Sequence, residues 1–121
     1  MPCSHPNREL LLVEDEFFVA LDLQDMAEEA GFSVDGPYAT VSEALTVAAD
    51  RHVCCAILDV RLLDGEVGPL ADMLYANDVP IVFHSGHVDN AELEKRYPEA
   101  TICMKPSSPT RMKQILLELA S

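Results

Sequence analysis

Five short apolar runs punctuate this chain, and each is followed by a stretch with helical spacing. The runs are LLLV (residues 10–13), the start of FSVDGPYAT, CCAIL (residues 54–58), VPIVF and ATICM. After the first, Val19, Leu23, Met26, Ala27 and Ala30 recur on one helical face. After the second come Val41, Ala44, Leu45 and Ala48, and after the third Leu70, Met73 and Leu74. DNAELEKRY predicts a short polar helix, and Met112, Ile115, Leu116 and Leu119 mark a last one. Continuous apolar strands alternating with helices require a parallel sheet covered on both faces. Right-handed crossovers then make an α/β three-layer sandwich, a doubly wound (βα)5 fold.

Local signals set the boundaries. Gly31 is placed to end the first helix. Gly36 and Pro37 are expected to break the second strand, and Thr40 or Ser42 to cap the second helix. A serine followed by Pro109 opens the last helix. No linker or low-complexity segment interrupts the series. A single domain over residues 8–121 is expected, with residues 1–7 as an extended or disordered leader.

The 121 residues are 49% hydrophobic, enough for a core without staples. No apolar run is long enough to span a bilayer, and MPCSHPNREL lacks the order of a signal peptide. The expected location is cytoplasmic. Acids outnumber bases 21 to 8, for a formal charge of −13. Such a surface repels nucleic acid and anionic lipid and favours solubility. It also leaves open that some acids crowd together and need a cation. Cys54 and Cys55 are adjacent in a strand and point to opposite faces, so they suit neither a mutual disulfide nor a shared metal. With Cys3 and Cys103 they are expected to be free thiols.

The strand ends carry the chemistry. In doubly wound sheets, ligands gather beyond the carboxyl ends of the strands. Strand one ends in Glu14 and Asp15, strand three in Asp59, strand four in Ser85 and Gly86, and strand five in Lys105 and Pro106. Strand two has no polar group at its end and suits the sheet edge. Any one of these groups alone reads as a loop residue or, for EDE, as a helix opening favoured by the dipole. Together they place three or four carboxylates, a hydroxyl and an ammonium on one rim. Crowded carboxylates disfavour one another's ionisation, and a hard cation such as Mg²⁺ relieves this. Asp59 is then a plausible nucleophile toward phosphorus, with Lys105 and Ser85 holding phosphoryl oxygens.

These motifs, LLVEDE, AILDVRLLDG, IVFHSG and ICMKP, resemble in order and interval those of response-regulator receiver domains of two-component systems. The resemblance covers residues 8 to 120. It implies the strand order 2-1-3-4-5 and a phosphorylated aspartate at Asp59. It implies Asp15 as a direct Mg²⁺ ligand, Glu14 acting mainly through water, and the Arg61 carbonyl as a further ligand. Ser85 would be the switch hydroxyl, and Lys105 would pair with the phosphoryl group, its bond to Pro106 being cis. The implied donor is a histidine kinase or phosphotransfer protein. The domain would catalyse its own phosphorylation and slow hydrolysis and signal through its partner-binding face. A homodimer through the face of the fourth helix, fifth strand and fifth helix is a further implication, as is the stand-alone type. The alternative is a phosphorylation-independent interaction module on the same fold. Two positions depart from the pattern. VRLLDG lacks the proline common after the phosphoacceptor, and Ile102 stands where many relatives have an aromatic switch residue. Arg61 and His87 flank the pocket at positions that tune rates in the family.

Overall fold

The computed structural model describes residues 8–62, 65–86, 90–105 and 108–120. In chain order the elements are β1 (Glu9–Val13), α1 (Phe17–Glu29), β2 (Ser33–Tyr38), α2 (Val41–Asp50), β3 (Cys55–Asp59), β4 (Arg61–Leu62), β5 (Gly65–Glu66), α3 (Gly68–Ala76), β6 (Ile81–Ser85), α4 (Ala91–Arg96), β7 (Thr101–Met104) and α5 (Pro109–Ala120). The main sheet is parallel, in the order β2-β1-β3-β6-β7. Counting its five strands alone, this is the expected 2-1-3-4-5. The small antiparallel pair β4–β5 is an addition in the loop after Asp59. Two-residue strands leave no periodicity for a sequence to display. Residues 1–7, Asp64, His87 and the Lys105–Pro106 bond lie outside the described residues.

Strand alternation divides the core in two. Leu10, Leu12, Cys55, Ile57, Val82 and Cys103 pack with α1 and α5, against Leu23, Ala27, Met112, Ile115, Leu116 and Leu119. Leu11, Val13, Ala56, Leu58, Ile81 and Phe83 pack on the other face, against Val41, Ala44, Leu70, Ala71 and Leu74. Each fully buried leucine contributes about 1.5–3 kcal/mol by leaving water. The two clusters together fix which strand residues face which helices, and so which way the strand ends point.

The helix ends follow the predicted chemistry. Gly31 has φ +101°, and the N–H groups of Gly31 and Phe32 close α1 on the carbonyls of Glu28 and Ala27. Thr40, not Ser42, caps α2: its hydroxyl oxygen accepts from the Glu43 N–H at 3.2 Å. The expected break at Gly36 and Pro37 does not end β2. The β1–β2 register shifts between Leu11 and Val13, so the extra residue is absorbed as a bulge. Gly36 is required there, because a Cβ would lie 2.4 Å from the Leu12 carbonyl oxygen at a φ of +123°. Past the bulge, the Tyr38 carbonyl accepts from the Glu14 N–H at 2.9 Å and pins the end of β1.

Helix α4 is held differently, for none of its six residues is buried. Tyr97, just after it, is buried against Phe83 and Tyr75 and donates its hydroxyl to Asp72 at 2.6 Å. Arg96 grips both oxygens of the same carboxylate at 2.8 Å.

The cysteine expectation is corrected at one position. Cys55 and Cys103 are free and buried, but Cys54 is disulfide-bonded. Cys54 precedes β3 by one residue, and the alternation rule excluded only its pairing with Cys55. Burial pushes the Cys55 thiol up to about 12, partly offset by the charge of Arg8. The folded chain thus disfavours the Cys55 thiolate. That contribution is complete below the unfolded thiol's pKa of about 8.5 and is lost as pH rises toward 12. Iodoacetamide at about pH 8 should therefore leave Cys55 unmodified in the folded protein and label it in urea, as read by peptide mass mapping.

Candidate functional site

The carboxyl edge of the sheet inherits its polarity from the rows beneath it. Glu14 continues the Leu10–Leu12 row, Asp59 the Cys55–Ile57 row, His84 follows Val82, and Lys105 follows Cys103. All four rows face α1 and α5, so four polar side chains converge on one side of the rim. Glu14 and Asp59 are only 3% and 4% exposed.

Lys105 ties the two acids together. Its Nζ lies 3.2 Å from Asp59 Oδ2 and 3.4 Å from Glu14 Oε2. The other Asp59 oxygen, Oδ1, accepts from the Arg61 N–H at 3.1 Å. Glu14 Oε2 also accepts from the Glu16 N–H at 3.3 Å, and Glu14 Oε1 faces His84 Nδ1 at 3.4 Å. Glu14, Asp15 and Asp59 each offer an oxygen within 4.8 Å of the others. Above them opens a cleft of about 350 Å³ lined by Asp15, Glu16, Asp59, Val60, Arg61, Gly86 and Lys105.

The electrostatics divide the acids. Burial raises the Asp59 carboxyl, and the neighbouring Glu14 raises it further, against the Arg61 N–H and Lys105. Asp15 is raised by burial and by Asp59. Burial also works against the Glu14 carboxylate, but bonds with His84 and Asp59 and the charge of Lys105 hold it below its ordinary range. Burial works against the Lys105 ammonium as well, and the two carboxylates overcome it and raise the group. The three acids thus crowd around an insufficient positive charge. An all-oxygen donor set of this kind fits a hard divalent cation that keeps several waters.

Ser85 is buried on the same rim but turned aside. Its hydroxyl donates to Asn90 Oδ1 at 2.8 Å, and Asn90 in turn reaches Met104 Sδ. The structure therefore brings Glu14, Asp15, Asp59 and Lys105 together, adds Arg61 through its backbone, and places Ser85 beside them on a different partner. His84 and Asn90 escaped the sequence reading. For His84 a signal existed: a polar residue in an apolar row, facing the same side as the acids.

No protein-family model matches the chain. The chain is 31% identical to SdrG from Pseudomonas melonis Fr1, solved in its BeF3-activated conformation; the match covers 97% of this chain and all of that one, with a TM-score of 0.74. It is 30% identical over 111 residues to the phyllosphere-induced regulator PhyR of Methylorubrum extorquens, covering 89% of this chain and 42% of that protein. A response regulator receiver protein from Sinorhizobium medicae shares the fold at 22% identity and a TM-score of 0.76, over 93% of this chain and 95% of that one. Sheet order, strand-end chemistry and these likenesses define a receiver-type signalling domain. The chain belongs to the response-regulator receiver family. It spans less than half the length of the PhyR relative.

Crowding has a measurable consequence. Asp59→Asn keeps an oxygen for the Arg61 N–H and removes a buried charge that its neighbours oppose. In chelator, this variant should unfold about 2–4 °C above the parent chain in a thermal melt.

Proposed function

We propose that this chain is the phosphoacceptor of a two-component system. Asp59 takes a phosphoryl group from the phosphohistidine of a histidine kinase or phosphotransfer protein. The observation that carries this reading is the nearly buried Asp59 carboxylate, held by Lys105 on one oxygen and by a backbone N–H on the other, beside two further acids. An Asp59 oxygen attacks phosphorus, the bond from phosphorus to the donor's imidazole nitrogen breaks, and the imidazole leaves with that electron pair. Asp15, Asp59 and the Arg61 carbonyl would hold Mg²⁺, with Glu14 acting through water. The ion supplies positive charge against the incoming phosphate. Lys105 turns from the carboxylates to a phosphoryl oxygen and stabilises it as a point charge. Water later hydrolyses the acyl phosphate and returns the site to rest.

The switch follows from Ser85. In the resting arrangement its hydroxyl is engaged by Asn90 at the start of α4. A phosphoryl group on Asp59 offers a stronger, charged acceptor. Transfer of that one hydrogen bond loosens the start of α4 and biases the partner-binding face. Ile102 has no ring to swing and is packed, half-buried, beside the cluster that includes Phe83 and Tyr97. The reading also includes a cytoplasmic location and a homodimer through the α4–β7–α5 face, where Met104 and Leu117 are exposed. Among the described residues, no helix is long and apolar enough to cross a membrane.

Incubation with acetyl phosphate and Mg²⁺ should add one phosphoryl group, seen by intact mass, and Asp59→Asn should abolish it. Persistent labelling of that variant at the same site would sink the assignment. Asn90→Ala removes one competing partner of Ser85. In amide spectra it should reach half-saturation with BeF3⁻ and Mg²⁺ at a roughly fivefold lower concentration, about 1 kcal/mol.

A further inference from the structure

Among the described residues, four polar side chains are buried: Glu14, Asp59, His84 and Ser85. The proposed phosphoryl transfer uses three of them. His84 is left over, only 2% exposed, on a strand row that otherwise faces the apolar cluster under α1 and α5. Folding alone favours an aliphatic side chain there. The histidine instead leaves Nε2 buried with no hydrogen-bond partner among the described residues. A buried unpaired nitrogen works against stability, so core packing does not account for the residue.

Its other nitrogen points to the reason. Nδ1 lies 3.4 Å from Glu14 Oε1. A carboxylate only accepts, so this contact requires the hydrogen on Nδ1. The register completes the placement: His84 sits directly opposite Asp59 on β3 and Cys103 on β7. It therefore lies under the acids, not over the cleft.

Glu14 is held at three points. Its N–H is fixed by Tyr38, its Oε2 by the Glu16 N–H and by Lys105, and its Oε1 by His84. Once Lys105 turns to a phosphoryl oxygen, His84 is the remaining side chain among these that orients the carboxylate. We infer that His84 is a positioning residue of the acidic site: its Nδ1–H fixes the Glu14 carboxylate so that Glu14, Asp15 and Asp59 stay converged on a divalent cation. This rests on the cation reading of the preceding subsection. It follows the general behaviour of groups that hold metal-site carboxylates from behind, whose loss weakens metal binding without removing a ligand.

The test compares the parent chain with His84→Ala, His84→Leu and His84→Asn. Mg²⁺ affinity is read by amide shifts, fold integrity by thermal unfolding in chelator, and the ring hydrogen by ¹⁵N spectra of His84 in chelator. The ring should carry its hydrogen on Nδ1. His84→Ala should weaken Mg²⁺ binding roughly tenfold, with His84→Leu doing the same if the alanine variant does not fold. His84→Asn, whose amide reaches toward the place of Nδ1, should restore most of the affinity. A hydrogen on Nε2 with none on Nδ1, or parental affinity in the apolar variants, would overturn the inference. Failure of asparagine to rescue would do so too. If the parent chain itself binds no Mg²⁺, the cation reading fails first; the ring tautomer then still decides whether His84 orients Glu14.

Discussion

The structure depends on one uncomfortable placement: carboxylates gathered where apolar strands end, with a single lysine reaching two of them. Nothing in the core requires Glu14 and Asp59 to be neighbours. They are neighbours because β1 and β3 pair in parallel, with Val13 beside Leu58, and the next residue of each is acidic. Lys105 enters from β7, two strands away from β3 in the sheet, and bridges the pair. The sheet order that buries the aliphatic rows therefore also delivers the charges. A different order would leave the same residues on separate loops, each solvated and unremarkable.

Much of this was legible in the sequence because two simple periods carry it. Leu10 to Val13, Cys55 to Leu58 and Ile81 to Phe83 are too short and too uniformly apolar for surface helices, and the helical rows between them are regular. The strand-end rule then located Glu14, Asp15, Asp59, Ser85 and Lys105 without any geometry. What stayed hidden depends on contacts across the chain. Ser85 carries no sign that Asn90 holds its hydroxyl, since that bond depends on how the strand leads into α4. Gly36 and Pro37 looked like a stop, yet the backbone carried β2 past them by slipping register against β1. Cys54 shows a similar limit: it stands one residue before β3, packs in the same cluster as Cys55, and strand alternation is silent on its disulfide.

His84 is the instructive case between these. Strand parity places it on the side of the acids, and its polarity conflicts with the row it occupies. Such conflicts between local pattern and global burial tend to gather at functional sites. The distance to Glu14, however, needed coordinates, because β1 and β6 are separated by β3 in the sheet.

Helix α4 carries a consequence of its own. It is short, buries none of its residues, and is fastened at its two ends, by Asn90 on Ser85 and by Tyr97 and Arg96 on Asp72. Mechanically it is a strut clamped at both tips, with Leu93 packed against the core between them. Opening one clamp loosens one tip of the strut without dismantling either hydrophobic layer, while Leu93 and Tyr97 keep their contact with the core. A small chemical change at the rim is in that sense geared to the placement of a whole helix.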